Sequence, residues 1–235
     1  MIKNYLFDLD GTLLPLNEDE FVEKYMKLIG QKFVAIGYNP KIMIDQLWLG
    51  TKAMINNNGK NTNEAVFWEI FNPKKMNNDK LKEQLNGFYK NEFSNTFKAT
   101  KPSDYSKKII SLLKEKSKRI ILATNPIFPL VATKKRIEWA KLDINDFEYI
   151  TTYENSAYAK PNIDYYKEIL EKMNLEPHET IMIGNDATED MIAQELGIQT
   201  YLVTDCLKNK NNIDINKFNH GTLEELYRLI KSDSL

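Results

Sequence analysis

The sequence predicts a doubly wound α/β fold, a parallel sheet with helices on both faces, interrupted by an inserted all-helical domain. Two observations predict it. After Thr100 the chain alternates strand-like and helix-like segments, the signature of a parallel sheet. Before it, one strand-like run, Ile2 to Leu9, stands apart, and the stretch from about Asn17 to Phe97 reads as helix throughout. A lone strand cannot satisfy its own backbone, so the first must join the later set. The expected division is a core of residues 1–15 and 98–235 with a cap of residues 16–97.

The run IKNYLFDL is short, apolar and followed by Asp10-Gly11, as suits a buried strand ending in a turn. In the insertion, Asn17 with Glu20 makes a capping pair, and Phe21, Tyr25, Leu28, Ile29, Phe33 and Ile36 recur at helical spacing. Asn39-Pro40 opens a second helix with proline at its first position. NEAVFWEIF and KLKEQLNGFYKNEF predict a third and a fourth, with Trp48, Phe67, Trp68 and Phe88 as the core of the insertion. Beyond Thr100, SDYSKKIISLLKEK, FPLVATKKRIEWAKL, PNIDYYKEILEKM and ATEDMIAQEL predict helices; RIILAT, FEYITT, TIMIG and IQTYLV predict strands. Gly197 fits a helix C-cap, and Thr222 with Glu225 a capping box for a last helix.

Composition narrows the function. Lys plus Arg total 32 against 33 for Asp plus Glu, so no overall field favours nucleic acid or an anionic membrane. Small-molecule chemistry is the expectation. The single cysteine, Cys206, excludes an internal disulfide, and the N-terminal MIKNYLFDLD has no apolar run suited to a signal peptide or a membrane span. A cytoplasmic protein is expected.

In open parallel sheets, ligands bind beyond the carboxyl ends of the strands. The polar residues falling there are Asp8 and Asp10, then Thr124 and Asn125, then Asn185, Asp186 and Asp190, with Lys160 able to reach the same rim. Asp8 and Asp10, two apart on a strand, would share one face about 7 Å apart. Asp186 and Asp190, four apart at a helix start, would share another. Four carboxylates against one lysine repel by about 4 kcal/mol per close pair at an effective dielectric of 20, so a cation is expected. The candidate donors are all oxygens, which points to magnesium over zinc and to a small phosphorylated substrate as its companion. Asn125 before Pro126 reads chiefly as a helix N-cap, His178 and His220 as surface residues, and Cys206 as a packing residue.

FDLDGTL resembles the first motif of the haloacid dehalogenase (HAD) superfamily, most of whose members are phosphatases. Thr124 in ILATNP falls at the second motif, Lys160 before Pro161 at the third, and IGNDATED at the acidic fourth. The resemblance implies a HAD-like Rossmannoid core with a helical cap inserted after the first strand. It implies Asp8 as nucleophile, forming an aspartyl phosphate and binding Mg2+ through its other oxygen. It implies Asp10 as general acid and base, also binding the metal through its main-chain oxygen. Thr124 and neighbouring amides would hold phosphate, with Asn125 and Lys160 completing the substrate site. In many relatives an aspartate follows the glycine of the fourth motif; here that place is Asn185, so the metal falls to Asn185, to Asp186, which is the favoured ligand, or to both, with Asp190 either supporting the metal site from behind or only capping or holding Lys160. A dehalogenase does not need the acid at Asp10, so a phosphomonoester hydrolase is expected, ahead of a phosphomutase of the β-phosphoglucomutase type or a non-enzymatic binding protein. The cap would select the substrate, with Lys41, Trp48, Lys52 and Trp68 as candidates.

Overall fold

The computed structural model describes residues 1–71 and 78–235. Six strands form one sheet in the order β3-β2-β1-β4-β5-β6, every neighbouring pair parallel. They are β1 (Asn4–Phe7), β2 (Arg119–Leu122), β3 (Tyr149–Ile150), β4 (Thr180–Gly184), β5 (Gln199–Val203) and β6 (Asn219–Gly221). The isolated N-terminal strand takes the middle, between β2 and β4, as its continuous burial predicts. The helices are α1 (Glu18–Ala35), α2 (Pro40–Ile55), α3 (Asn63–Ile70), α4 (Asn78–Lys90), α5 (Asp104–Glu115), α6 (Leu130–Trp139), α7 (Ile163–Met173) and α8 (Leu223–Lys231).

The period-2 geometry of a strand divides the core into two layers. Tyr5, Phe7, Ile120, Leu122, Ile181 and Ile183 face α5 and α8, where Ile109, Leu113, Leu226 and Ile230 meet them. Leu6, Ile121 and Met182 face the other way, onto Tyr165, Tyr166 and Ile169 of α7. Each fully buried side chain of this size contributes about 1.5–3 kcal/mol, and both faces of the sheet are so covered.

Between β1 and α5 the chain makes α1–α4 and a 3-10 stretch, Glu92–Ala99. Asn17 accepts from the Glu20 amide, and Asn39 caps α2 with Pro40 behind it, as expected. These helices pack on an aromatic cluster that includes Phe21, Tyr25, Phe33, Phe67, Phe71, Phe88 and Phe93 and also takes in Ala132 and Tyr153 from beyond the insertion. The chain leaves and returns side by side: the Asn17 amide donates to Ala99 O at 3.0 Å and the Lys101 amide to Pro15 O at 2.7 Å. No described helix is long and apolar enough to cross a membrane.

Four readings need correction. β1 ends at Phe7, so Asp8 and Asp10 lie in the loop beyond the strand and the same-face argument does not apply to them. ATEDMIAQEL is a turn followed by a 3-10 helix, Met191–Leu196, closed by Gly197 at φ 81°. Asn125 caps no helix: α6 begins five residues later behind Pro129. Trp48 is 48% exposed, whereas Phe67 and Phe88 are core residues. The strand β6 was not expected; at three residues it carries too short a pattern to read.

Candidate active site

The loop after β1 is folded tightly over the sheet's carboxyl end, with the Gly11 amide donating to Leu14 O and the Thr12 and Leu14 amides both donating to Leu9 O. Gly11 adopts φ +86°, and a Cβ there would lie 2.3 Å from Asn185 Nδ2, so only glycine lets the loop seat against β4's end. Gly184 plays the matching part opposite, since a Cβ would lie 2.1 Å from Asp190 Oδ2. These two close approaches bring residues far apart in sequence onto one rim.

Lys160 is 1% exposed and lies between two carboxylates, with Nζ 3.0 Å from Asp8 Oδ1 and 2.6 Å from Asp190 Oδ1. Burial alone would pull its pKa down; Asp190 and Asp8 outweigh that and hold the ammonium well above its ordinary range. The same desolvation raises Asp8 against the pull of Lys160, and pushes Asp190 up to about 6. The second oxygen of Asp190 accepts the Asp186 amide at 2.9 Å, so both its oxygens are engaged. Asp190 thus holds Lys160, one of the two roles open to it from sequence.

Asp10 has a partner the sequence reading did not find. Arg136, 1% exposed on α6, donates through Nη1 to Asp10 Oδ2, and its Nη2 donates to Thr133 Oγ1 at 3.2 Å. Burial raises the Asp10 pKa and Arg136 opposes it. The other oxygen, Asp10 Oδ1, is buried and has no partner. An arginine on the buried stripe of a helix, beside Ala132, Thr133 and Ile137, was the available signal.

Thr12, also unread, links the two halves of the rim: its hydroxyl lies 3.1 Å from Asn185 Oδ1 and 3.4 Å from Asp8 Oδ2. Asn185 donates in turn to Cys206 O at 2.7 Å. Asp186 turns elsewhere. Its Oδ1 accepts the Thr188 and Glu189 amides at 2.8 and 2.9 Å, and its Oδ2 lies 3.5 Å from Lys208 Nζ. Thr124 is buried just past β2, its carbonyl held by Thr151 Oγ1 at 2.6 Å and Tyr165 OH at 3.0 Å. Asn125 donates to Glu189 Oε2 at 3.2 Å and leaves its own Oδ1 buried without a partner.

Three cations, Lys160, Arg136 and Lys208, therefore face the four aspartates, so the chain meets much of the charge balance that a metal was expected to settle. Among the described residues no three His, Cys, Asp or Glu side chains are grouped as a metal set. The donors still fit a hard cation. Asp8 Oδ2 and Asn185 Oδ1 converge on one hydroxyl, Asp10 Oδ1 is orphaned, and Mg2+ needs only one or two carboxylates beside waters and phosphate.

Above the rim lies a cavity of ≈ 1000 Å³ whose lining includes Asp8, Asp10, Thr124, Asn125, Asn185 and Asp186. Its far walls come from α1–α4; Trp48 and Trp68 are among them, while Lys41 and Lys52 point away on exposed surface.

A Rossmannoid rim with buried acids and a buried lysine, opening into a cavity under helices, defines a capped α/β hydrolase. The chain belongs to the haloacid dehalogenase-like hydrolase family, whose profile matches residues 2–197. Glyceraldehyde 3-phosphate phosphatase of Methanocaldococcus jannaschii is 24% identical over 244 residues, 99% of this chain and 98% of that protein. The phospholysine phosphohistidine inorganic pyrophosphate phosphatase of Danio rerio is 33% identical over 61 residues, so the match spans 23% of that relative's length and 24% of this chain. Among solved structures, a HAD phosphatase from Thermococcus onnurineus superposes with TM-score 0.60 at 15% identity, covering 97% of this chain and 98% of its own. The L-2-haloacid dehalogenase of Xanthobacter autotrophicus gives 0.58 at 12%, covering 98% and 99%. The fold is thus shared by phosphatases and dehalogenases alike, and the curated relatives are phosphatases.

Proposed function

We propose that the protein is a magnesium-dependent phosphomonoester hydrolase that works through an aspartyl phosphate on Asp8. The observation that carries this reading is the pair of differently held carboxylates at one cavity mouth: Asp8 on Lys160, Asp10 on Arg136 with one oxygen left over. A dehalogenase has no use for the second.

Asp8 attacks phosphorus through a carboxylate oxygen, and the bond from phosphorus to the ester oxygen breaks. Asp10 Oδ1 delivers a proton to the departing alkoxide. Asp10 then takes a proton from water as that water attacks the phosphorus, which frees phosphate and restores Asp8. Lys160 offsets charge on Asp8 and the phosphoryl group, while Thr124, Asn125 and nearby amides hold phosphate oxygens. Asp8, the main-chain oxygen of Asp10 and Asn185 would hold magnesium, with Asp186 able to serve through Oδ2, the oxygen its turn leaves to Lys208. When bound, the metal supplies positive charge to the phosphoryl oxygens. Asp190 keeps Lys160 in place.

The substrate is a small phosphorylated metabolite; the full-length archaeal relative makes glyceraldehyde 3-phosphate the first compound to try. The test is phosphate release across a metabolite panel, with and without magnesium, for wild type and Asp8→Asn. Magnesium-dependent release abolished by the substitution is expected. Full activity in Asp8→Asn would overturn the mechanism, and sugar phosphates isomerised without release would move the reading to a mutase.

A further inference from the structure

The two ends of the cavity differ in chemistry. Away from the rim its walls are Phe21, Tyr25, Trp48, Trp68, Tyr89 and, from the core, Phe128. Trp48 stands 48% exposed on a helix that buries Met43, Leu47 and Met54, so its indole is available to a ligand. Aromatic rings prefer offset or edge-to-face neighbours, and Tyr25 with Phe128 already shows that geometry, at 5.5 Å and 66°.

Polar resources on these walls are few. Among the described residues, α1–α4 bring two charged side chains to the cavity, Glu18 at the rim, paired with Lys208, and Lys82, paired with Glu64. Thr51 spends its hydroxyl on Leu47 O at 2.9 Å. The Tyr25 and Tyr89 hydroxyls lie 2.9 Å apart and share one bond, which leaves one hydrogen for an acceptor on a ligand. Burial keeps both phenols protonated. The Asn86 amide also faces the cavity. Lys101, exposed where the chain re-enters the core, completes the lining near Cys206.

We propose that the phosphate ester's leaving group is an uncharged aromatic or heteroaromatic body, seated against Trp48, Trp68, Tyr25 and Phe128 while the phosphate lies on Asp8. This inference rests on the hydrolase reading above and deepens it. Among the described residues, a second phosphate or carboxylate on the helical walls would meet Lys82 already paired with Glu64, and Lys101 only at the point where the chain re-enters the core. A sugar would bring several hydroxyls to walls on which the described residues offer little beyond the shared tyrosine hydrogen, the Trp68 indole N–H and Asn86, and each unpaired one is penalised. A three-carbon phosphate would fill only a small part of ≈ 1000 Å³. A ring with one or two acceptors uses the apolar walls, the spare tyrosine hydrogen and Asn86 together.

The experiment compares kcat/KM for 2-(1-naphthyl)ethyl phosphate and glycerol 3-phosphate, both esters of primary alcohols, with magnesium present. Wild type, Trp48→Ala and Trp48→Phe are measured side by side. The naphthyl ester is expected to be preferred by about 100-fold, the scale a shaped apolar pocket can supply. Trp48→Ala is expected to cut that ratio about tenfold, chiefly through KM, and Trp48→Phe to restore much of it. Equal rates, or a preference for glycerol 3-phosphate, overturn the aromatic pocket and leave the hydrolase standing. Hydrolysis of neither ester counts against the hydrolase reading, and calorimetric titration with 1-naphthylmethylphosphonate then decides the pocket. Saturable binding weakened by Trp48→Ala sustains it; no binding overturns it.

Discussion

The rim of the sheet and the wall of the cap enclose the same cavity by opposite means. At the rim, charged groups are buried in fixed pairs, Lys160 on Asp8 and Asp190 and Arg136 on Asp10, and a displaced atom leaves an uncompensated charge. At the wall, Phe21 and Tyr25 are held by Phe88 and Phe93 behind them, through ring contacts that tolerate small shifts. On the proposed reading, the rim would fix which bond breaks and the wall which molecule is presented, so chemistry and selection would occupy separate residues and could be altered separately.

The sharpest way to break that division is Asp8→Asn, which is expected to lower kcat by about 10⁴-fold or more, the scale lost with a nucleophile. Calorimetry should find binding of the naphthyl phosphonate retained; loss of both would show that the rim and the wall are one unit. Asp10→Asn follows, with an expected loss of about 10²–10⁴ in kcat, measured by phosphate release. Phe88→Ala strikes the packing behind the wall and leaves the rim untouched. Phe88 is fully buried, and its truncation is expected to destabilise the protein by about 3–5 kcal/mol in a urea titration. Unchanged stability there would mean that the cap's aromatic cluster is not a cooperative part of the fold.

Arg136→Met tests the residue that belongs to both regions, since its guanidinium stacks 4.5 Å over Phe128 while it holds Asp10. Removing one partner of a buried pair costs about 3–5 kcal/mol, and roughly 2–3 is expected here because the Asp10 side chain is 30% exposed. The smallest effect lies in the tyrosine pair. The Tyr25 pKa is pushed up to about 12 from 10 by burial, so the folded state holds that proton more tightly than the unfolded chain. Its contribution is complete below pH 10 and lost as pH rises through 12. Tm should fall across that window, and less steeply in Tyr25→Phe.

Much of the rim was legible because motif residues follow buried strands, and a buried strand's end can be read from where its apolar run stops. Asp8, Thr124 and Asn185 fall there in the structure, directly after β1, β2 and β4 or one residue on. Arg136 was not legible as Asp10's partner: the two are 126 positions apart, and only the packing of α6 against the β1 loop brings them together. Asp186 and Asp190 looked alike in sequence, yet a turn in place of a helix gives one to backbone amides and the other to Lys160. Trp48 failed for a different reason. Helical periodicity marks an inward face, and it reads the same whether that face meets other side chains or an open cavity.

The paired backbones at Leu16 and Thr100, where the insertion leaves and returns, bear on how the protein assembles. Asn4 of β1 pairs with Arg119 of β2, 115 positions later, so the pairing of β1 with β2 must close a long loop. The entropy of closure grows with that length, and pairings this remote slow folding. Once Leu16 and Thr100 are clasped, the insertion no longer counts toward the span, and the two strands meet across a short effective loop. The cap thereby becomes a folding intermediary for a sheet to which its described residues contribute no strand, and weakening its aromatic cluster should slow the assembly of β1 with β2.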